Sequence, residues 1–84
     1  MSRQRTIEKI MASEYISIGE LARITGVRYS TLKFYTEEGM LPFEQEEENL
    51  TRRYKRVESV ARVQWIRGQR EAGKSIPEIK ELII

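Results

Sequence analysis

Residues 18–41 read IGELARITGVRYSTLKFYTEEGML, which is two short helical patterns separated by one glycine and closed by another. Ala22 allows two helix backbones to approach closely, and Gly26 can adopt the left-handed φ that ends the first helix without steric cost. Val27 and Leu32 then fill the small core between the helices. This spacing predicts a helix-turn-helix, a unit that places its second helix in the major groove of DNA. The signal alone is moderate, because any pair of packed helices favours a small residue and a glycine.

The composition favours a small helical domain and offers little for catalysis. The chain has 84 residues, which is one domain, with 39% hydrophobic and 33% charged residues. It contains no cysteine and no histidine, so disulfides, thiolate metal sites and the commonest general base are excluded. We expect no enzyme, no cofactor and no metal. No apolar run approaches the ~18 residues of a membrane span, and residues 1–15 lack a signal-peptide core, so we expect a cytoplasmic protein without membrane contact.

The net charge of +2 is distributed unevenly along the chain. Residues 1–36 carry six Lys/Arg and three Glu, residues 37–49 carry six Glu and no base, and residues 50–84 carry nine Lys/Arg and four Glu. Two basic regions around an acidic block fit a polyanion partner, and an ordinary solvated surface fits equally well. The acidic run at 44–48 lacks the Asp and Gly spacing of a calcium loop. We interpret it as a solvated loop or as a brake on nonspecific DNA binding.

Two capping boxes and three glycines set the predicted helix boundaries. Ser17 with Glu20, and Ser75 with Glu78, have the spacing that satisfies the first N–H groups of a helix. The predicted elements are helices over 18–25, 29–38, 56–72 and 76–84, a short extra helix over 6–12, and a two-stranded hairpin, or wing, within 42–54 with its tip near 47–49. The predicted fold class is therefore mainly α: a winged helix-turn-helix with four core helices, a short two-stranded wing and an extra N-terminal helix.

Apolar spacing predicts which faces of the flanking helices are buried. In the helix over 56–72, an i, i+3, i+4, i+7 face is formed by Val57, Val60, Ala61 and Gln64, and the apolar side is widened by Val63, Trp65 and Ile66. Trp65 is expected to pack against the last helix. In the short N-terminal helix, the side chains that share one side are Ile7, Ile10 and Met11.

The order of the motifs resembles a known family. A capping box precedes Gly26-Val27, and then follow Thr31-Leu32-Lys33-Phe34-Tyr35, Gly39-Met40-Leu41, a wing ending Arg52-Arg53-Tyr54, and REAGKSIPEI at residues 70–79. Over about residues 15–84 this order is similar to the DNA-binding domain of the mercury-resistance regulator (MerR) family, which leaves residues 1–14 as an N-terminal extension. The resemblance implies a winged helix-turn-helix with its second helix in the major groove. It also implies double-stranded DNA, a homodimer or several copies on that DNA, and RNA polymerase as partners.

The start of the second helix carries the predicted base contacts, which are Arg28, Tyr29, Ser30 and Thr31. This end of a recognition helix meets base edges. Arg28 can form two hydrogen bonds with guanine O6 and N7, and Thr31 can contact a thymine methyl group or a phosphate. An ordinary exposed first turn is the alternative. Arg28 also stands where the family usually has a helix-capping serine, so the helix is expected to start differently.

The predicted backbone contacts lie later in the second helix and in the wing. Lys33 is assigned to a phosphate as a point charge. Tyr35 either supports the core with its ring while its hydroxyl reaches a phosphate, or it is purely a core residue. Arg52 and Arg53 are neighbours on an extended segment, so they point to opposite faces and at most one faces DNA squarely.

Of these two arginines we favour Arg52, because it matches the family's arginine. Tyr54 and Lys55 complete the predicted interface as supporting contacts. Lys55 is also a poor helix cap compared with the serine that is usual there.

Three functions stay open from the sequence. The first is a sequence-specific regulator of transcription that binds double-stranded DNA in two or more copies, on half-sites about one helical turn apart. The second is an excisionase-like protein that bends DNA. The third is a protein-binding adaptor on the same scaffold, because a fold does not fix a function. A steep loss of duplex affinity with rising salt would separate the DNA binders from the adaptor.

Overall fold

The computed structural model describes residues 4–83 and is built mainly from helices around one small sheet. In chain order the elements are α1 (Ile7–Met11), β1 (Tyr15–Ile16), α2 (Ile18–Thr25), α3 (Tyr29–Glu37), β2 (Tyr54–Lys55), α4 (Arg56–Glu71) and α5 (Ile76–Ile83). The predicted fold class is confirmed. The expected place of Ile84 in the last helix lies outside the described residues. Within residues 4–83, no helix combines the length and the apolar character that crossing a membrane requires.

A single hydrophobic core joins all of these elements. It takes at least one almost completely buried side chain from every helix and strand, namely Ile10, Ile16, Leu21, Leu32, Tyr54, Val63, Ile66 and Ile79, with Met40 and Leu41 between α3 and the wing. Each such burial contributes about 1.5–3 kcal/mol relative to an exposed side chain. The core therefore fixes α3 and the wing against the same set of residues.

The first helix of the helix-turn-helix forms as predicted. The Glu20 backbone N–H donates to Ser17 Oγ at 3.1 Å, and the Ser17 N–H donates to Glu20 Oε1 at 2.9 Å, so both bonds of the capping box are present. Gly26 ends α2 at φ 73°, where a side chain would be strained. Local signals thus set both ends of α2 at the predicted residues.

The starts of α4 and α5 differ, and each agrees with its sequence signal. The Glu78 N–H donates to Ser75 Oγ at 3.3 Å and the Ser75 N–H donates to Glu78 Oε1 at 2.9 Å, which starts α5. Lys55 forms no side-chain cap on α4 within the described residues, as its side-chain chemistry predicts.

The predicted apolar side of α4 is confirmed at Val63 and Ile66 and wrong at Val57. Val63 and Ile66 are fully buried and form the buried face together with Ser59, at i, i+4 and i+7, whereas Val57 is 66% exposed. At 3.6 residues per turn, Val57 lies on the opposite side of the helix from these three buried positions. Trp65 is partly buried and packs against the core, and its expected contact with the last helix stays a prediction.

The small sheet has a partner that the sequence did not predict. β1 and β2 are antiparallel, with Tyr15 opposite Lys55 and Ile16 opposite Tyr54. The wing itself is a loop closed by one bridge between Glu44 and Arg53, whose backbone groups exchange hydrogen bonds of 2.7 and 2.8 Å. The predicted hairpin pairing is therefore reduced to this bridge, because Tyr54 and Lys55 pair with the N-terminal strand.

The extra N-terminal helix is present and contributes one residue to the core. Ile10 is fully buried, whereas Ile7 and Met11 remain about half exposed. The three residues share a helix side as predicted, but only Ile10 is covered. Arg5 ties this segment to α2, since its guanidinium donates to Glu20 Oε2 at 2.6 Å and to Glu20 Oε1 at 2.7 Å.

Candidate nucleic-acid interface

Helix α3 divides cleanly into a buried face and an exposed face. Leu32, Tyr35 and Thr36 are buried and fix the helix to the core. The opposite face carries residues at i, i+3, i+4 and i+7, which are Ser30, Lys33, Phe34 and Glu37, and all four are exposed. A helix with this division can enter a groove with its exposed face while its other face stays packed.

The start of α3 presents a group of polar and aromatic side chains. Arg28, Tyr29 and Ser30 are exposed, with Tyr29 at 55%, and Thr31 is half-buried. Arg28 occupies the N-cap position in an extended conformation, and in the described part of the chain its side chain makes no capping hydrogen bond. The structure therefore brings the four residues predicted to contact bases together at one end of α3, with Arg28 unused by the helix itself.

Two of the three tyrosines of the predicted interface, Tyr35 and Tyr54, lie inside the molecule. Tyr54 is completely buried, and its hydroxyl is 2.9 Å from Thr36 Oγ1, which in turn donates to the Leu32 carbonyl oxygen at 2.9 Å. A fully buried side chain has no surface for DNA, so the prediction of Tyr54 as a supporting contact is corrected to a structural role that ties β2 to α3. Tyr35 is 7% exposed, which places its ring in the core.

The two wing arginines point in different directions, as strand alternation predicts. Arg52 Nη1 lies 2.8 Å from Glu37 Oε1 at the end of α3, and its guanidinium sits 4.6 Å from the centroid of the Phe43 ring. The hydrogen bond to Glu37 raises the pKa of Arg52 above its ordinary value. Arg53 instead stacks over the Tyr15 ring at 4.8 Å. Of the pair, Arg52 is the one beside α3.

The base of the wing is fixed by a contact that sequence reasoning missed. The Tyr15 hydroxyl donates to Glu44 Oε2 at 2.9 Å, and this hydrogen bond raises the pKa of Tyr15. Lys55 is exposed and lies opposite Tyr15 across the sheet. No local signal could reveal this contact, because Tyr15 and Glu44 belong to elements that are far apart in sequence.

Half of the acidic block is engaged in specific contacts. Glu37 pairs with Arg52, Glu38 Oε1 lies 3.1 Å from Lys80 Nζ on α5, and Glu44 accepts from Tyr15. These carboxylates act between elements and are not simply a solvated run. Across residues 4–83, no three His, Cys, Asp or Glu side chains are grouped closely enough to hold a metal ion.

Comparison with known proteins identifies several relatives, and the names of two of the three described here refer to regulation. The chain is 34% identical over 70 residues to the mercuric resistance operon regulatory protein of Serratia marcescens, which covers 83% of this chain and 48% of that protein. It is 45% identical over 64 residues to the nodulation protein NolA of Bradyrhizobium elkanii, covering 76% of this chain and 29% of that protein. It is 39% identical over 69 residues to the HTH-type transcriptional activator SoxR homolog of Chromobacterium violaceum, covering 82% and 45%.

These relatives are longer than the present sequence. The chain spans less than half the length of each of the three proteins. No solved structure matches it significantly. The sequence profile described as "MerR HTH family regulatory protein" matches residues 16–83, which includes every element from α2 to α5. The chain therefore belongs to the MerR helix-turn-helix family of regulatory proteins.

Proposed function

We propose that this chain binds double-stranded DNA in a sequence-specific manner and thereby regulates transcription. The observation that carries the proposal is the division of α3, whose inner face is fixed to the core while Arg28, Ser30 and Lys33 stand exposed on the other side. Membership of the MerR family and the regulatory names of the relatives support it. In this proposal α3 enters the major groove and the wing lies beside the DNA backbone. The chain acts by binding and not as an enzyme.

We assign proposed tasks to polar and charged side chains of α3 and the wing. Arg28 reads guanine through O6 and N7, because its planar guanidinium can form two parallel hydrogen bonds with these acceptors. Ser30 and Thr31 contact neighbouring bases or phosphates. Lys33 binds a phosphate as a point charge, which adds affinity without sequence preference. Arg52 binds a second phosphate from the wing, and exposed Lys55 supports it.

We propose that two copies occupy one DNA site. A single module of this size buries on the order of 600–1,000 Å² of protein surface on DNA, which is small for tight specific binding. Two copies on half-sites about one helical turn apart would double that area and produce a palindromic site. Contact with RNA polymerase and action in the cytoplasm belong to the same proposal.

The decisive experiment is selection of bound duplexes from a random pool, followed by titration of the enriched site at several salt concentrations. We expect one enriched palindromic motif and an affinity that falls steeply with salt, because phosphate contacts release counterions. A chain that binds no duplex even at low salt would contradict the proposal and favour the adaptor. Tandem sites with a strong bend would favour the DNA-bending function.

Two variants and one control test the assigned residues. Arg28→Ala is expected to relax the preference at one base pair, with a cost of about 1–3 kcal/mol at the selected site. Lys33→Ala is expected to weaken binding to all sequences and to reduce the slope of log affinity against log salt by about 1. Arg67→Ala removes the same charge from an exposed position on α4 and is the matched control. Equal losses for Arg67→Ala and Lys33→Ala would show that only net charge matters.

A further inference from the structure

Arg52 is held by two neighbours of different kinds. Glu37 Oε1 accepts a hydrogen bond from Arg52 Nη1 at 2.8 Å, and the Phe43 ring lies 4.6 Å from the guanidinium carbon. The first contact is between opposite charges, and the second is a stacking contact that any orientation of the carboxylate leaves intact. Arg52, which is proposed to bind a phosphate, is therefore already paired with the Glu37 carboxylate.

Glu37 lies on the side of α3 that is proposed to meet DNA. It is one turn beyond Lys33 and two turns beyond Ser30 on the exposed face, and its side chain is 51% exposed. In the proposed complex the DNA backbone passes between α3 and the wing, so the Glu37 carboxylate would lie close to it. Its carboxylate neutralises the guanidinium of Arg52, the wing arginine beside α3.

We propose that Glu37 and a DNA phosphate compete for Arg52, so that the phosphate replaces the carboxylate when DNA binds. This inference rests on the proposed function. A guanidinium donates hydrogen bonds to carboxylate and to phosphate oxygens, so a phosphate oxygen can replace Glu37 Oε1 at Arg52 Nη1. An exposed ion pair is weak, so the ion pair between Glu37 and Arg52 breaks at little cost in free energy. Phe43 keeps the guanidinium beside α3 during the exchange.

The consequence is a lower affinity for every duplex. Nonspecific complexes depend almost entirely on phosphate contacts, so weakening one of those contacts reduces occupancy of the many nonspecific sites. Occupancy of the specific site then depends more on the base contacts of Arg28 and its neighbours. Glu37 is thus a positioning residue of the interface, and it gives the acidic block a defined role at a single residue.

Glu38 provides a closely matched control for substitutions at Glu37. It is the next residue in the chain, it carries the same charge, and its carboxylate pairs with Lys80 on α5 at 3.1 Å instead of with the wing. Replacing either glutamate with glutamine changes the net charge by the same amount. Only the change at Glu37 releases Arg52.

The experiment measures dissociation constants of the full chain for a random duplex and for the selected site. The variants are Glu37→Gln, Glu38→Gln, Arg52→Ala and the double variant with Glu37→Gln and Arg52→Ala. We expect Glu37→Gln to tighten binding to both duplexes by about two- to fivefold at low salt and to steepen the salt dependence. Glu38→Gln should change binding by less than twofold. In the Arg52→Ala background, Glu37→Gln should also have an effect of less than twofold.

Each outcome distinguishes this inference from the proposed function. If the wild-type chain binds no duplex, the proposed function fails and the inference falls with it. If the wild-type chain binds but Glu37→Gln leaves affinity unchanged or lowers it, the inference alone is wrong. A gain that persists without Arg52, or an equal gain from Glu38→Gln, would show a general charge effect and would also overturn it. Thermal unfolding of each variant confirms that the fold is retained.

Discussion

Helices α2 and α3 form one structural unit, but their starts are built in opposite ways. At α2, Ser17 and Glu20 form a complete capping box, and Arg5 adds two hydrogen bonds to the Glu20 carboxylate. At α3, Arg28 occupies the cap position without capping, and the first turn contains no acidic residue. The helix without proposed base contacts is the one with the stronger local stabilisation.

This difference indicates where the stability of α3 comes from. Its buried face supplies Leu32, Tyr35 and Thr36 to the core, and its last turn is linked to other elements through Glu37 and Glu38. Because tertiary contacts stabilise α3, its first turn does not need a capping residue and can instead present side chains that bind a partner. Functional sites commonly break a local rule that the rest of the fold obeys. Substitutions at the starts of α2 and α3 test this difference in stabilisation.

The largest expected effect is at the start of α2. Glu20→Ala removes the reciprocal capping bond and both Arg5 contacts, and we expect it to lower the free energy of unfolding by about 2 kcal/mol. For a domain of this size, that corresponds to a loss of roughly 10 °C in Tm. Thermal unfolding followed by circular dichroism measures the change.

Glu20→Gln separates the cap from the charge. Glutamine can still accept the bond from the Ser17 N–H, because a capping box accepts either residue. This variant should therefore lose only the charged part of the Arg5 contact and unfold between the wild type and Glu20→Ala. Equal stability of Glu20→Ala and wild type would show that α2 does not depend on its cap.

Local signals explain why so much of the fold was predictable. Capping boxes and left-handed glycines act within a few residues, so the boundaries of α2 could be read from Ser17, Glu20 and Gly26 without tertiary information. The buried face of α4 could be read only in part: the apolar side included Val63 and Ile66, but the exposure of Val57 and the burial of Ser59 depend on tertiary packing. The two-residue strand β1 is itself too short for a period-two pattern.

The same distinction applies to the interface. Exposure of Arg28, Ser30 and Lys33 follows from helical periodicity within α3, and this part of the prediction needed only local sequence. The burial of Tyr54 and the pairing of Glu37 with Arg52 depend on residues brought together by the fold. Sequence reasoning treated the acidic block as one feature, whereas the structure gives its members separate partners.

Acid provides a second and smaller test of the α2 start. The hydrogen bond from Arg5 lowers the pKa of Glu20 from 4.5 to about 2. As pH falls from about 4.5 to about 2, the unfolded chain gains a proton on this carboxyl that the folded chain resists, so the folded state loses stability. We expect this residue to contribute about 1–2 kcal/mol above pH 5, discounted because Arg5 is 40% exposed and solvent screens the pair.

The measurement is urea unfolding of the wild type and Glu20→Gln at several pH values. Other carboxylates also titrate, including Glu78, whose pKa is lowered by its bonds to Ser75. The difference between the two proteins isolates Glu20. That difference should be largest near neutral pH and should shrink as the pH approaches 2. A difference that stays constant with pH would mean that the Arg5 pair does not stabilise the fold.

Arg28→Ser is expected to have the smallest effect on stability. It gives α3 the side-chain cap that only α2 has of the two helices. A serine in this extended N-cap position can accept from the first turn, so we expect the free energy of unfolding to rise by about 0.5–1 kcal/mol. DNA affinity should fall at the same time, because the proposed guanine contact is lost. Arg28→Ala is the matched control, since it loses the contact without gaining a cap. If Arg28 occupies the N-cap position because it binds DNA, the serine and alanine variants will bind DNA equally weakly. Only the serine variant will unfold at a higher temperature than wild type. A serine variant that binds as tightly as wild type would instead show that Arg28 is merely an exposed residue in an uncapped turn.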